Sequence, residues 1–410
     1  MSGIKRNIQE KVLKLLGMFP VVLILGARQV GKTTFCKQLV PQWKYFDLEK
    51  PDDFELISRN PVLFFEYYPM NIVFDEAQEY PEIFRVLRGI IDNNPNQNGR
   101  YIITGSSSPE LLQHTSETLA GRIGIIELGT LKANEYYNQP LSDFYQLFSN
   151  KLEKSTIISG SPPLSTLQMT TLWFKGGYPK PLLSNDIEYH AQWMENYRNT
   201  YINRDIAKLF PRLNRFAFQR FLSILCKLSG TILNRSDVAR AIETSEKTVK
   251  EYITIAEETF LWRSLPSFEK NVIKSIIKMP KGYIRDSGLL HYLVHIHSFD
   301  ELLLDPLVGN SFEAFVIEEL LKGLQATFVT NWNAHYYRTR KGAEIDLILE
   351  GPFGTLPIEI KFGTSIRLKQ ITALIQFVKE FNLPLGLVIN QSERVEWITE
   401  NIVQIPIGWL

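Results

Sequence analysis

The stretch VVLILGARQVGKTTFCKQL, residues 21–39, constrains this chain more than any other. Its first five residues form a short, β-branched run suited to a buried parallel strand. The run leads directly into Gly26, four intervening residues, then Gly31, Lys32 and Thr33, with a helical pattern after them. Glycines at both ends of the loop let the backbone curl around a phosphate, and its N–H groups and the helix N-terminus face the negative charge. Gly26, Ala27, Arg28, Gln29, Val30, Gly31, Lys32, Thr33 and Thr34 are therefore the candidate nucleotide-binding loop. Lys32 is the residue to reach the β- and γ-phosphates of a nucleotide, and Thr33 the one to ligate Mg2+. The Arg28 side chain reads instead as a contact to solvent or to a partner.

A phosphate loop alone does not separate ATPases from kinases or GTPases, so a second acidic element is needed. NIVFDEAQEYP supplies it: Ile72–Phe74 is a short apolar strand ending in Asp75 and Glu76. In that layout the aspartate binds Mg2+ and the glutamate orients the attacking water. The Asn-Lys-x-Asp guanine motif of a GTPase does not occur in the sequence. Next, RYIITGSSSPELL forms another strand with Thr104 and Ser106 at its carboxyl end, where the ligand crevice of a doubly wound sheet lies. A hydroxyl there can sense the γ-phosphate, or Ser106–Ser108 can simply cap a helix before Pro109. In LAGRIGIIEL, Arg122 follows a flexible glycine, as either an arginine finger, in cis or on a neighbouring subunit, or a surface arginine before a strand.

With GARQVGKTT, DEAQ, ITGSS and LAGR in this order, residues 18–140 resemble an AAA-type ATPase domain widespread in bacteria and archaea. That family usually continues into a carboxyl-terminal domain of unassigned function, and the rest of this chain is similar to it. The resemblance implies an α/β fold: a P-loop parallel sheet, then a helical and winged-helix region, then an α/β restriction-endonuclease-like domain. The expected domains are 1–131 for the ATPase, 132–210 for a helical lid or linker, 211–280 for the winged-helix-like part and 281–410 for the nuclease-like part.

Composition excludes a disordered or fibrous chain: 410 residues, 44% hydrophobic and 22% charged, suffice for several cores. Lys plus Arg (45) and Asp plus Glu (44) nearly cancel, so any basic surface must be local. Cys36 and Cys226 lack metal-ligand spacing and fit a reducing compartment. The first residues form an amphipathic pattern interrupted by Lys11 and Lys14, unlike a signal peptide, and FPVVLILGA is too short to span a bilayer. The expectation is a cytoplasmic protein with no membrane contact.

In the middle of the chain, RSDVARAIETSEKTVKEYITIAEE predicts a helix after Ser236, a turn near Thr244 and Ser245, and a second helix with Val249 and Tyr252 facing inward. The next segment is a candidate wing. Lys247 and Lys250 are offset by Glu246 and Glu251, which favours a packing module over a base-reading one.

GAEIDLILEGPFGTLPIEIK, residues 342–361, reads as a hairpin turning at Gly351, Pro352 and Gly354. Alternation sets Glu344, Asp346 and Ile348 on one face of the first strand, and Glu359 with Lys361 on one face of the second. Acids are disfavoured in strands, so these require solvent, a metal or an ion-pair cluster. Upstream, the helical period centres Glu313 in the stripe Val316, Ile317, Leu320 and Leu324, whereas Glu318 points away. A helical glutamate, then Asp, then Glu-x-Lys resembles the PD-(D/E)xK nuclease fold over about 300–410. The resemblance assigns Glu313, Asp346, Glu359 and Lys361 to its core, with Arg338, Arg340 and Lys341 available for a phosphate backbone. Expected ligands are ATP and Mg2+, DNA or RNA is a candidate partner, and an oligomer is open.

Overall fold

The computed structural model of the chain describes residues 3–106, 118–184, 186–210, 213–269, 279–340 and 342–410. It separates into two compact units, Met1–Leu131 with Glu258–Phe260, and Lys132–Glu257 with Leu261–Leu410.

The first unit is built on strands β1 (Val21–Leu25), β2 (Lys44–Asp47), β3 (Ile72–Asp75), β4 (Tyr101–Gly105) and β5 (Ile123–Glu127). They pair in parallel in the order β2-β3-β4-β1-β5. Every residue of β1, β3 and β4 is buried. Burial on both faces is why these strands read as unbroken apolar runs instead of alternating ones. Leu23, Phe74 and Ile103 join Phe64, Phe65 and Phe84 from the flanking helices in one core. β4 lies between β1 and β3, so the glycine loop after β1 and the acids ending β3 face each other at the carboxyl edge across one intervening strand.

In the second unit, the two helices expected after Ser236 and Ser245 are Arg235–Ala241 and Glu246–Glu258, with Val249 and Tyr252 buried. They follow a helix at Arg215–Lys227 and accompany an antiparallel sheet, β6-β8-β7, of β6 (Thr231–Ile232), β7 (Trp262–Leu265) and β8 (Lys281–Ile284). The candidate wing falls largely on residues 270–278, outside the described residues. β8 begins just past the expected boundary at 280 and pairs with both β6 and β7.

The larger sheet has the order β13-β14-β12-β11-β10-β9, from β9 (Asn333–Arg338), β10 (Glu344–Gly351), β11 (Gly354–Ile360), β12 (Gly386–Asn390), β13 (Glu396–Thr399) and β14 (Ile402–Pro406). β9, β10 and β11 are antiparallel neighbours, and after the helix Thr372–Glu380 the chain returns as β12, parallel to β11. Gly351 lies opposite Gly354, whose φ of 110° only glycine adopts readily. The expected alternation of β10 is corrected at one point. A register shift against β9 between Ile345 and Ile348 breaks the period, and both isoleucines join the cluster under the helix Thr372–Glu380. The small sheet is stitched to β9 by Phe268 N–H to Tyr336 O (2.6 Å) and Tyr336 N–H to Pro266 O (3.0 Å). The Tyr336 hydroxyl also donates to the Met279 carbonyl at 2.7 Å, which brings β8 beside β10.

Candidate functional site

The phosphate loop is held open by backbone geometry. Gly31 has φ 95° and Gln29 φ 69°, both left-handed, immediately before the helix Lys32–Leu39. A Cβ on Gly26 would sit 2.3 Å from the Leu128 carbonyl oxygen, so this glycine is required by the close approach of the chain beyond β5. Lys32 is buried, and its ammonium donates to the carbonyls of Gly26 (3.0 Å) and Ala27 (3.1 Å). Burial lowers its pKa, while Glu76 and Asp75 work to keep it charged.

Asp75 is the hub opposite. Its Oδ2 accepts from the hydroxyls of Thr33 (2.5 Å) and Tyr45, and its Oδ1 from Thr104. The Thr33 and Asp75 oxygens, the pair expected to serve Mg2+, are thus in contact, and the donor set is all oxygen, as a hard cation requires. Glu76 follows in the left-handed region at φ 53°. Its amide donates to Thr104 Oγ1 at 3.4 Å, and its carboxylate accepts from Gln78 Nε2 at 2.7 Å. A non-glycine residue at such φ is uncommon and is found where surrounding contacts over-determine it. Ser106 is buried just beyond β4; Ser107, Ser108 and Pro109 lie outside the described residues.

Arg28 extends from the loop to Glu49 (3.2 Å). Arg122 is not brought to the loop. Ile123 pairs with Val21, the first residue of β1, whereas the loop follows Leu25 at the other end, roughly 13 Å along the strand. There Arg122 Nε bonds Asp92 Oδ1 at 2.7 Å, so the expected finger in cis is corrected: the parallel register carries it to the amino-terminal edge.

Two participants escaped the sequence. Arg6 is buried and donates to the carbonyls of Val30 (3.2 Å) and Gly129 (2.7 Å), fixing the loop from behind. Tyr45 sits on Asp75 from β2, and only its position in a strand pairing beside β3 could have hinted at it. Tyr45→Phe removes a hydrogen bond to a buried carboxylate and is expected to cost about 1–3 kcal/mol, read from urea unfolding of the full chain. An unchanged midpoint would show that Asp75 does not depend on it.

The second cluster assembles the other predicted residues and two that were not predicted, Lys281 and Tyr283. Lys281, on β8, places Nζ 2.6 Å from Glu313 Oε1, 2.6 Å from Glu344 Oε1 and 3.7 Å from Asp346 Oδ1. Lys361 reaches Glu359 Oε1 at 2.5 Å and Asp346 Oδ2 at 3.9 Å. Asp346 Oδ2 also accepts from the Ile360 N–H (2.8 Å), and Glu313 from the Tyr283 hydroxyl (2.5 Å). Burial and then Asp346 push Glu313 up to about 7 and Glu359 up to about 8. Glu359 Oε2 is buried without a hydrogen-bond partner among the described residues, while Oε1 faces the Lys361 ammonium. Arg338 Nη1 lies 3.6 Å from Glu344 Oε2, and Lys341 is outside the described residues. Among the described residues, no three His, Cys, Asp or Glu side chains are arranged as a metal cage.

Glu313 is buried on its helix, as expected, but so is Glu318, which was expected to point away. The helix Val308–Ala326 is enclosed on nearly all sides, so no face of it is a solvent face. Glu318 is compensated by Arg263, whose Nη2 lies 3.2 Å away, and Arg285, whose Nη2 lies 3.3 Å away.

The parallel sheet, the glycine loop and the acids ending β3 define the first unit as an AAA-type P-loop ATPase domain, and residues 18–137 match the family described as AAA domain. Residues 166–300 and 308–410 match two families, each described as a domain of unknown function, DUF8612 and DUF4143. The chain belongs to the family of the uncharacterized protein Rv2008c of Mycobacterium tuberculosis, with 30% identity covering 98% of this chain and 83% of the relative. The uncharacterized protein Mb2031c of Mycobacterium bovis matches with the same identity and coverage. Among solved structures, the Walker-type ATPase PABY2304 of Pyrococcus abyssi is similar at 14% identity and TM-score 0.45, covering 71% of this chain and 96% of that one. The RuvB Holliday junction branch migration motor of Thermotoga maritima is similar at 15% identity and TM-score 0.30, covering 63% and 89%. Among the described residues, no helix is long and apolar enough to cross a membrane.

Proposed function

We propose that the first unit binds ATP with Mg2+ and hydrolyses it, and that this cycle drives the second unit, a winged-helix layer and a nuclease-like domain, on DNA or RNA. The observation that carries the hydrolytic part is the convergence of Thr33, Tyr45 and Thr104 on Asp75, opposite an ammonium already seated in the glycine loop. Thr33 and Asp75 would hold Mg2+, which neutralises phosphate charge when bound. Lys32 leaves the carbonyls of Gly26 and Ala27 to pair with the phosphates, and Glu76, steadied by Gln78, orients the attacking water. Thr104, which donates to Asp75 and accepts from the Glu76 amide, would register the γ-phosphate together with Ser106, two residues on. Arg122, remote from its own loop, would serve a neighbouring copy in an oligomer. Free, buried Cys36 and Cys226 favour a reducing compartment, the cytoplasm.

A second reading keeps the ATP cycle but makes the nuclease-like domain a non-catalytic scaffold for a nucleic acid or protein. Lys281 favours it, because its ammonium sits among the carboxylates that cleavage would need. Wild type, Lys32→Ala, Asp346→Ala and Lys361→Ala are to be incubated with MgATP and labelled DNA or RNA. ATP turnover is expected to vanish only in Lys32→Ala, with no cleavage by any variant. Cleavage that is lost in Asp346→Ala and Lys361→Ala would instead make the nuclease-like domain a catalyst of strand cleavage, and turnover surviving Lys32→Ala would sink the ATPase assignment.

A further inference from the structure

The carboxylates of β10 and the helix Val308–Ala326 already have a cation, and it is covalent. Lys281 is 4% exposed at its side chain, and Nζ contacts Glu313, Glu344 and Asp346 together. A hard divalent ion would seek the same ground, since it is held by carboxylate oxygens at about 2.0–2.6 Å. An ammonium with two carboxylate oxygens at 2.6 Å takes up that volume and supplies the positive charge. The residues therefore do not fit a divalent ion while Lys281 is in place. β8 is locked there: all four of its residues are buried, and a Cβ on Gly282 would lie 2.1 Å from the Trp262 ring, so the strand cannot slide without disrupting β7. The stitch of Tyr336 to Met279 fixes the strand's entry.

We infer that Lys281 is a resident cation standing in for a divalent metal, so that the Glu313–Asp346 cluster takes up no metal in this protein and becomes a metal site only when the ammonium is removed. The inference rests on the nuclease-like reading only in naming the ion displaced; the contacts themselves are independent of it. Four acids, Glu313, Glu344, Asp346 and Glu359, then face the buried Lys281 and the half-buried Lys361, with Arg338 at the rim. Removing Lys281 leaves Glu313, Glu344 and Asp346 without their shared counter-charge, which is the condition for capturing an ion from solution.

The test titrates Mn2+ alone into nucleotide-free full-length protein and counts bound ions by the loss of the free-ion EPR signal. Wild type and Asp346→Asn are expected to give the same isotherm, with no Asp346-dependent ion. Lys281→Ala is expected to gain one Mn2+, tightening uptake tenfold or more at sub-millimolar concentrations, and Lys281→Ala/Asp346→Asn to lose it. Should Lys281→Ala not fold, Lys281→Gln keeps the stem and the same comparison applies. An Asp346-dependent ion in wild type overturns the inference, as does a folded Lys281 variant without one. The readout uses no ATP turnover, so it can fail while the ATPase assignment stands, or survive its loss.

Discussion

Glu76→Gln is expected to leave nucleotide binding intact and to lower ATP turnover by about 10²–10⁴-fold, the usual worth of a positioned base or water-orienting group. The substitution is nearly isosteric, so the Gln78 contact and the left-handed backbone at φ 53° can persist while the charge that polarises water is gone. Binding of a fluorescent ATP analogue and single-turnover hydrolysis separate the two effects. Glu76→Gly is the control. It relieves the backbone cost of the left-handed conformation, so it should be no less stable than wild type against urea, yet equally slow. A variant that hydrolyses at the wild-type rate would remove Glu76 from the mechanism and leave Asp75 alone to account for it.

The second large effect concerns stability. Glu318→Gln is expected to cost about 3–5 kcal/mol, because it removes a buried carboxylate that the guanidiniums of Arg263 and Arg285 share. Burial by itself would raise the Glu318 carboxyl, but the two arginines overcome it and hold it down at about 2, from an ordinary 4.5. A depressed carboxylate stabilises the fold at pH above its unfolded value, and that contribution is lost as pH falls from about 4.5 through 2. Wild type should thus lose stability steeply in this window, and Glu318→Gln should lose less. Urea denaturation of the full chain at pH 7 and pH 3, followed by a probe in the second unit, measures both. A midpoint at pH 7 that does not move in Glu318→Gln would mean the arginines find other partners.

The ATPase half was legible because its chemistry is local. A phosphate loop works through consecutive backbone N–H groups and the first turn of one helix, so Gly26, Gly31, Lys32 and Thr33 mark the candidate site by spacing alone. Asp75 and Glu76 are legible for a related reason: a buried strand must be apolar, and charges at its end stand out. The hairpin was visible too, since Gly351 and Gly354 bound its turn and Leu356, Ile358 and Ile360 alternate along its second strand.

What periodicity cannot report is the far side of an element. The helix Val308–Ala326 shows one apolar stripe, but the structure encloses it almost completely, and Glu318 became interior because Arg263 and Arg285 arrive from β7 and the end of β8. Arg6, Tyr45 and Lys281 escaped in the same way: each meets its partner across a stretch of chain that no short-range pattern spans.

The sequence by itself therefore determined the phosphate loop, the strands that carry it and the acidic residues that need compensation, because each follows from neighbours along the chain. Only the tertiary structure decided where the compensation comes from: Arg122 went to the edge remote from the loop, and Lys281 went into the carboxylates. The physical reason is that a buried charge is satisfied by whichever opposite charge the strand order delivers, and strand order is fixed by the packing of the whole unit.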